Sequence, residues 1–232
     1  MQVNASTCIK RVGGNAICSH CNGNLIKHGI CNSGKPRYKC KNCKKTQVEN
    51  YTYNAYHQSI KQQIRVFTKE GLGIRSTARI LRISTTTLTK KIIAIAKGIK
   101  APAIQKNKSY QVDEMRTFIK KKNNLYWIAY ALQQETKKVV SYTIGKRTNK
   151  TLKRVITSLE LSEAKKIITD KLINYKFLIQ KEIHSTKHRG INHIERHNLS
   201  IRTHIKRLNR KTICFSRSLI VLNAILKIYL WG

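Results

Sequence analysis

Tyr110 to Asp170, YQVDEMRTFIKKKNNLYWIAYALQQETKKVVSYTIGKRTNKTLKRVITSLELSEAKKIITD, carries the pattern that sets the fold class. Tyr110 to Val112 is β-prone, and Leu125 to Leu132 is a continuous apolar and aromatic run. Lys138 to Ile144 is rich in β-branched residues and closes on Gly145. Thr148 to Leu159 has helical spacing through Leu152, Val155, Ile156 and Leu159. Lys166 to Thr169 is a further short strand that Asp170 closes. Three strands, a helix and another strand predict an α/β fold with the opening of an RNase H-like layer. In that topology the first and fourth strands are neighbours. Asp113 and Asp170 are then expected to meet, although 56 residues separate them.

These are the chain's two aspartates. Downstream, His184 to Lys211 (HSTKHRGINHIERHNLSIRTHIKRLNRK) holds five of the eight histidines, eight Lys/Arg and one acid, Glu195. Ile194, Ile201, Ile205 and Leu208 predict the apolar stripe of one helix. Glu195 lies at its border, and Arg196, Arg202, Lys206, Arg207 and Arg210 cover the other faces. An acid in such company is either a helix-surface partner for a residue such as Arg202 or a metal ligand beside a phosphodiester. Either aspartate alone reads as a turn or cap residue. Taken together, Asp113, Asp170 and Glu195 are the expected catalytic ligands of Mg²⁺ (or Mn²⁺) in a two-metal phosphoryl-transfer site. His193, His197, Asn198 and Arg202 are the expected phosphate contacts. The apolar run Ser218 to Trp231 is 14 residues long and contains Lys227, so it predicts a buried C-terminal helix and no membrane span.

Composition agrees with an anionic polymer as partner. The chain carries 47 Lys+Arg against 10 Asp+Glu, a formal charge of +37, too large for an enzyme of neutral small molecules. No secretory leader pattern is present at the start, and residues 1 to 17 read as a loose arm. CSHC (Cys18, Cys21) and CKNC (Cys40, Cys43) frame an 18-residue spacer with Gly23, Gly29, Gly34 and Pro36. Two such knuckles predict a structural Zn²⁺ site around a hairpin; a redox role for either CxxC is the alternative. His20 is expected to point away from the metal, and Cys8 and Cys31 are expected spare thiols. The four paired cysteines suit a reducing cytoplasm.

Between these regions, Ile60, Ile64 and Phe67 share a helical face that ends at Gly71 and Gly73. Ile74 to Leu81 predicts a second short helix, with Arg82-Ile83 as a tight connection. Ser84 is the expected N-cap of a third helix, Thr85 to Lys97. This predicts a helix-turn-helix with Arg75, Thr85, Thr86, Thr87, Lys90 and Lys91 facing DNA; a packing module with a solvated charged face is the alternative. Lys100 to Lys108 lacks periodicity and reads as a linker. The expected organisation is a zinc ribbon over 1–50, the helical domain over 51–100, a linker over 101–108 and the catalytic domain over 109–232.

CSHC…CKNC, GLGIRSTARILRIS, and NHIERHNLSIRTHIKRLNRK followed by FSRS resemble transposases of the insertion sequence 1 (IS-one) family. The resemblance spans about Cys18 to Tyr229. It implies that Asp113 in QVDEM, Asp170 in IITD and Glu195, with 24 residues between the last two, form the family's DDE set. It also implies recognition of terminal inverted repeats, Mg²⁺-dependent end cleavage, strand transfer into target DNA, and a homo-oligomer on double-stranded DNA in a bacterial cytoplasm, at the nucleoid. The chain departs from the family after Asp113, where MRTFIKKKNN replaces an aromatic, Gly-containing sequence. It departs again after Asp170, where KLINYKFLI replaces a Gly-Trp-containing turn. Two other functions compete. A non-enzymatic DNA-binding regulator needs only residues 1 to 100. A tyrosine recombinase would use His193 and Arg196 (HxxR) with Tyr229.

Overall fold

The computed structural model describes residues 9–32, 34–49, 53–186 and 191–232. Its first element is a hairpin of β1 (Lys10–Val12) and β2 (Asn15–Ile17). Gly13 and Gly14 form the turn at φ 54° and 82°, the left-handed region that a two-residue hairpin of this kind requires. From residue 9 onward the expected loose arm is therefore paired strand. Cys8 and the remainder of residues 1–8 lie outside the described residues. The spacer between the CxxC pairs folds as expected. β3 (Leu25–Ile30) and β4 (Pro36–Cys40) form its antiparallel hairpin, and β5 (Thr46–Val48) adds a third strand beside β4.

Three helices follow: α1 (Ile60–Lys69), α2 (Ile74–Leu81) and α3 (Thr85–Lys97). Their apolar positions, among them Ile60, Ile64, Leu81, Leu88 and Ile92, bury into one core. The α2–α3 connection turns on Arg82, at φ 52°. Ser84 then caps α3, its Oγ accepting from the Thr87 N–H at 3.1 Å. Tyr53 fixes the same corner: its hydroxyl accepts from the Ser84 N–H (3.1 Å) and donates to Thr87 Oγ1 (3.2 Å).

The largest sheet has the order β10-β9-β6-β7-β8. Its strands are β6 (Ser109–Phe118), β7 (Leu125–Gln133), β8 (Val139–Gly145), β9 (Lys166–Thr169) and β10 (His184–Ser185). β6, β7 and β8 form an antiparallel meander, and β9 and β10 add in parallel on the other side of β6. This is the RNase H-like arrangement, with the first and fourth strands adjacent. Alternation along the strands builds two cores. One face, with Tyr110, Val112, Ala129 and Ala131, packs on α4 (Asn149–Glu160) and α5 (Ile173–Leu178) through Leu152, Val155, Ile156 and Tyr175. The other, with Met115, Ile128, Tyr130 and Leu132, packs on α6 (Asn192–His204) and α7 (Leu219–Trp231). α5 and β10 were not foreseen; both are short, and neither has room for a clear period. The expected long helix over the basic stretch is also divided. α6 stops at His204, and Lys206–Leu208 continues as a 3-10 turn, although Ile194, Ile201, Ile205 and Leu208 are all buried as expected.

α7 is apolar on nearly every side because two cores share it. Leu222 and Leu226 face the sheet, while Ala224, Ile225 and Ile228 face α1 and α3. No helix among the described residues is long and apolar enough to cross a membrane. A second contact joins the same parts. Gly71, at φ 73°, ends α1 so close to the last turn of α6 that a Cβ there would collide with the His204 carbonyl. Gly71→Ala is therefore expected to cost about 2 kcal/mol or more, from left-handed strain plus the clash. This corresponds to a melting temperature lowered by roughly 4–8 °C in thermal circular dichroism. An unchanged melt would show that the α1–α6 approach is not as close as described.

Candidate functional site

The four cysteines of the N-terminal sheet meet. Cys18 Sγ lies 3.6 Å from Cys43 Sγ and Cys21 Sγ 3.4 Å from Cys40 Sγ, and all four sulfurs lie within 4.8 Å of one another. Tetrahedral zinc with bonds near 2.3 Å sets sulfurs about 3.8 Å apart, so the set fits the metal. The backbone N–H of His20 and the side chain of Gln47 donate to Cys18 Sγ at 3.4 and 3.3 Å, orienting that thiolate. His20 is exposed and outside the cluster, and Cys31 is outside it too.

The second site forms where β6 meets β9. Val112 pairs with Thr169, so the next residues, Asp113 within β6 and Asp170 just past the end of β9, stand side by side on parallel strands about 4.8 Å apart. Asp113 is half-buried. Its Oδ1 accepts from the Glu114 N–H (2.7 Å) and its Oδ2 from Asn198 Nδ2 (2.6 Å). Burial pushes its carboxyl up to about 6, and the charge of Asp170 adds to the rise; the two donors only partly oppose it. Asp170 accepts from the Leu172 N–H at 3.1 Å, which starts the turn into α5.

Helix α6 is pinned to β6 by residues two apart on the strand and four apart on the helix. Gln111 Oε1 accepts from the Ile194 N–H (2.9 Å), satisfying a free amide of the helix start, while Asp113 holds Asn198. Tyr130, directly across from Asp113 on β7, donates to Asn198 Oδ1 at 2.8 Å. Asn198 is thus clamped between two strands. Glu195 sits one turn before Asn198 on the same helix face, so their Cβ atoms are about 5–6 Å apart. It is exposed, and among the described residues it makes no hydrogen bond or ion pair with its side chain. The alternative pairing with Arg202 is not formed. Among the described residues, the four cysteines alone bring three or more donor atoms within 4.8 Å of one another; the three carboxylates are spread more widely.

Asp113, Glu114 and Glu195 line an open cleft of about 1090 Å³ together with Arg202, Lys206, Arg210 and Lys211, whereas Asp170 is not among its lining residues. Arg202 Nε is buried without a partner among the described residues, and burial lowers its pKa, aided by Arg210. The other expected phosphate contacts divide. His193 is exposed, whereas His197 packs on Tyr130, where burial holds its pKa below the usual value. On the helix-turn-helix, Arg75, Thr85, Thr86 and Lys90 are exposed, and Lys91 is half-buried. The Thr87 hydroxyl already accepts from Ser84 and Tyr53. Tyr229 is engaged by His204 at 2.7 Å, and burial raises its pKa, opposite to what a nucleophile needs.

The pattern reading missed Glu114. It is 2% exposed at its side chain, accepts from Tyr175 OH (2.6 Å) and pairs with Arg147 Nη2 (3.0 Å), whose guanidinium stacks over Trp127. Its adjacency to Asp113 was visible, but Tyr175 lies on the unforeseen α5.

A family profile described as IS1 transposase matches residues 109–231. The chain belongs to the IS1 transposase family. The InsB protein of insertion element iso-IS1n from Shigella dysenteriae is 38% identical over 108 residues, covering 47% of this chain and 82% of that one. InsB of IS1 from Shigella flexneri is 33% identical with the same coverage. An InsB of IS1 from Escherichia coli K12 is also 33% identical and is covered to 65%. Solved structures with some likeness include a simian T-cell lymphotropic virus intasome (TM-score 0.38, 16% identity, 71% of this chain and 65% of that one). Another is the HTLV-2 integrase catalytic core with magnesium (TM-score 0.36, 20% identity, 55% and 87%). Likeness that loose adds nothing to the strand order above, from which the fold follows. The profile covers the sheet, α6 and α7, so the acids lie in the part of the chain that defines this IS1-family member.

Two outcomes test the sites. Cys40→Ser is expected to abolish stoichiometric zinc in the purified protein, measured by atomic emission; retained zinc would disprove the four-thiolate site. Asp113→Asn is expected to stabilise the metal-free protein at pH 7–8 by about 1–2 kcal/mol. A carboxyl raised about two units costs roughly 3 kcal/mol when ionised, less about one lost hydrogen bond. Because the folded value lies above the unfolded one, the penalty is full above about pH 6. It fades as pH falls and is gone below about pH 4. Denaturant melts across that range check it, and a variant less stable at pH 8 would contradict the burial argument.

Proposed function

We propose that this chain is a DNA transposase of an insertion sequence that cleaves element ends and transfers them to target DNA in a metal-dependent reaction. One observation supports the reading: Asp170 follows the end of β9 beside Asp113 on the neighbouring parallel strand β6, and the helix clamped to Asp113 through Asn198 carries Glu195 into the cleft that Asp113 lines. The donor set suits hard divalent cations. All are carboxylates, Asp113 is raised by burial and further by its neighbour's charge, and none of the three has a cationic partner within 4.0 Å among the described residues. Mg²⁺ or Mn²⁺ bound there would supply a Lewis acid and an activated hydroxyl for attack on phosphorus.

The chain's own residues do the rest. Arg202, Lys206, Arg210 and Lys211 neutralise phosphates along the cleft and hold the strand in line with the acids. Asn198 and the Glu114 N–H fix the Asp113 carboxylate so that its free lone pairs point into the cleft. The start of α3, with Thr85, Thr86, Lys90 and Arg75 exposed, reads the terminal repeats, and the zinc-bound sheet supports that grip. Each catalytic half serves one DNA end in this reading, so a homo-oligomer assembles on the element. Residues 1–50, 51–100 and 109–232 divide the work as zinc module, DNA reader and catalytic unit. All of it takes place in the bacterial cytoplasm, at the nucleoid.

Glu195→Gln keeps the size and removes the charge. In a cleavage assay on DNA carrying the host element's ends, it is expected to lower the Mg²⁺-dependent rate at least about a thousandfold. Gel-shift affinity for the same DNA should stay within about twofold of the parent. Cleavage near the parental rate would reject the assignment.

A further inference from the structure

A second recess, of about 270 Å³, adjoins the cleft. Trp127, Phe118, Arg116, Arg202, Asn209 and Arg210 line it with Glu114, and four of these residues, Glu114, Arg202, Asn209 and Arg210, also line the main cleft. It exists because β9 pairs with β6 only from Ser109 to Val112, so no named strand covers that edge of β6 beyond Asp113 among the described residues. On the sheet face of Glu114, Arg116 stands directly opposite Trp127, with Phe118 two residues on. These aromatic rings are held in place. Arg147, anchored by buried Glu114 and through it Tyr175, stacks on Trp127 at 4.4 Å; Phe215 meets Phe118 edge-on at 5.8 Å. Rigid rings rimmed by guanidinium groups, beside a strand-cleavage centre, have the chemistry that receives an unpaired base while its phosphates are gripped. The recess has room for a base and not for duplex.

We propose that this recess takes up one unpaired nucleobase of the DNA end, stacked on Trp127, and so keeps the end frayed at the catalytic acids. The proposal rests on reading the cleft as a DNA-cleavage site, so it is tested by binding alone, without divalent cation; cleavage and stacking can then fail separately. Fluorescence anisotropy would compare full-length protein on three short duplexes of one sequence: fully paired, ending in one mismatched base, and carrying an abasic residue at that position. The mismatched end is expected to bind about tenfold more tightly than the paired one. The abasic end should lose that gain, Trp127→Leu should lose it, and Trp127→Phe should keep most of it. The chain has two tryptophans, so a Trp231→Phe protein reports from Trp127 alone. Its emission should be quenched by the mismatched end and not by the abasic one. This arm decides should Trp127→Leu fail to fold. Equal binding of mismatched and abasic ends would overturn the proposal, as would a preference that survives in Trp127→Leu or an emission indifferent to the base.

Discussion

The parallel pairing of β6 with β9 is the constraint on which the rest depends. It sets Asp113 beside Asp170 and therefore holds two like charges together in a partly buried place. Burial is the larger part of the penalty on the Asp113 carboxylate, and the charge of Asp170 adds to it. Against it stand Tyr110, Val112 and Ile167, essentially fully buried on the same two strands, each contributing about 1.5–3 kcal/mol. Packing wins, so the strands hold the two carboxylates close together. The site is tense because of the strands that build it.

That tension is confined by a second layer of contacts. Gln111 caps α6 and Asn198 spans Asp113 and Tyr130, so helix and sheet are fixed by polar bonds of defined length as well as by Ile194 and Ile201. Glu195, in contrast, is exposed and unpaired among the described residues. Two acids are thus set by the scaffold, and the third remains adjustable on an anchored helix. α7 extends the same scaffold to α1 and α3, because its opposite sides fill the cores of both parts. A duplex held by α3, as proposed, would be presented by a body that shares packing with the sheet that carries Asp113.

Sequence pattern revealed most of the long, periodic elements, but the expected run Tyr110–Val112 is only the start of β6, which continues through Asp113 to Phe118. α2, α3 and the Ser84 cap follow from apolar spacing and a hydroxyl placed before it, and strands β6 to β9 follow from β-branched runs. Short elements were invisible. β10 has two residues and α5 six, too few for a period, and the β1–β2 hairpin rests on a Gly-Gly pair between unremarkable polar residues. The end of α6 was misjudged because Ile205 and Leu208 keep helical spacing while the backbone leaves the helix. Side-chain clamps were equally hidden, since Gln111, Asn198 and Tyr130 meet only through the sheet.

Charge distribution completes the logic. With 47 cations and 10 acids, attraction to DNA needs no special design, and any surface of the chain would bind a duplex loosely. What must be built is a place where DNA meets negative charge and is still held. The cleft brings both signs together. Asp113, Glu114 and Glu195 share it with Arg202 on α6 and with Lys206, Arg210 and Lys211 past the helix end, where α6 breaks. Had α6 run on straight through Leu208, those cations would point around a cylinder rather than into one wall. The break that pattern reading missed is therefore what places Lys206, Arg210 and Lys211 on one cleft wall with Asp113 and Glu195, the arrangement on which the proposed phosphate grip depends.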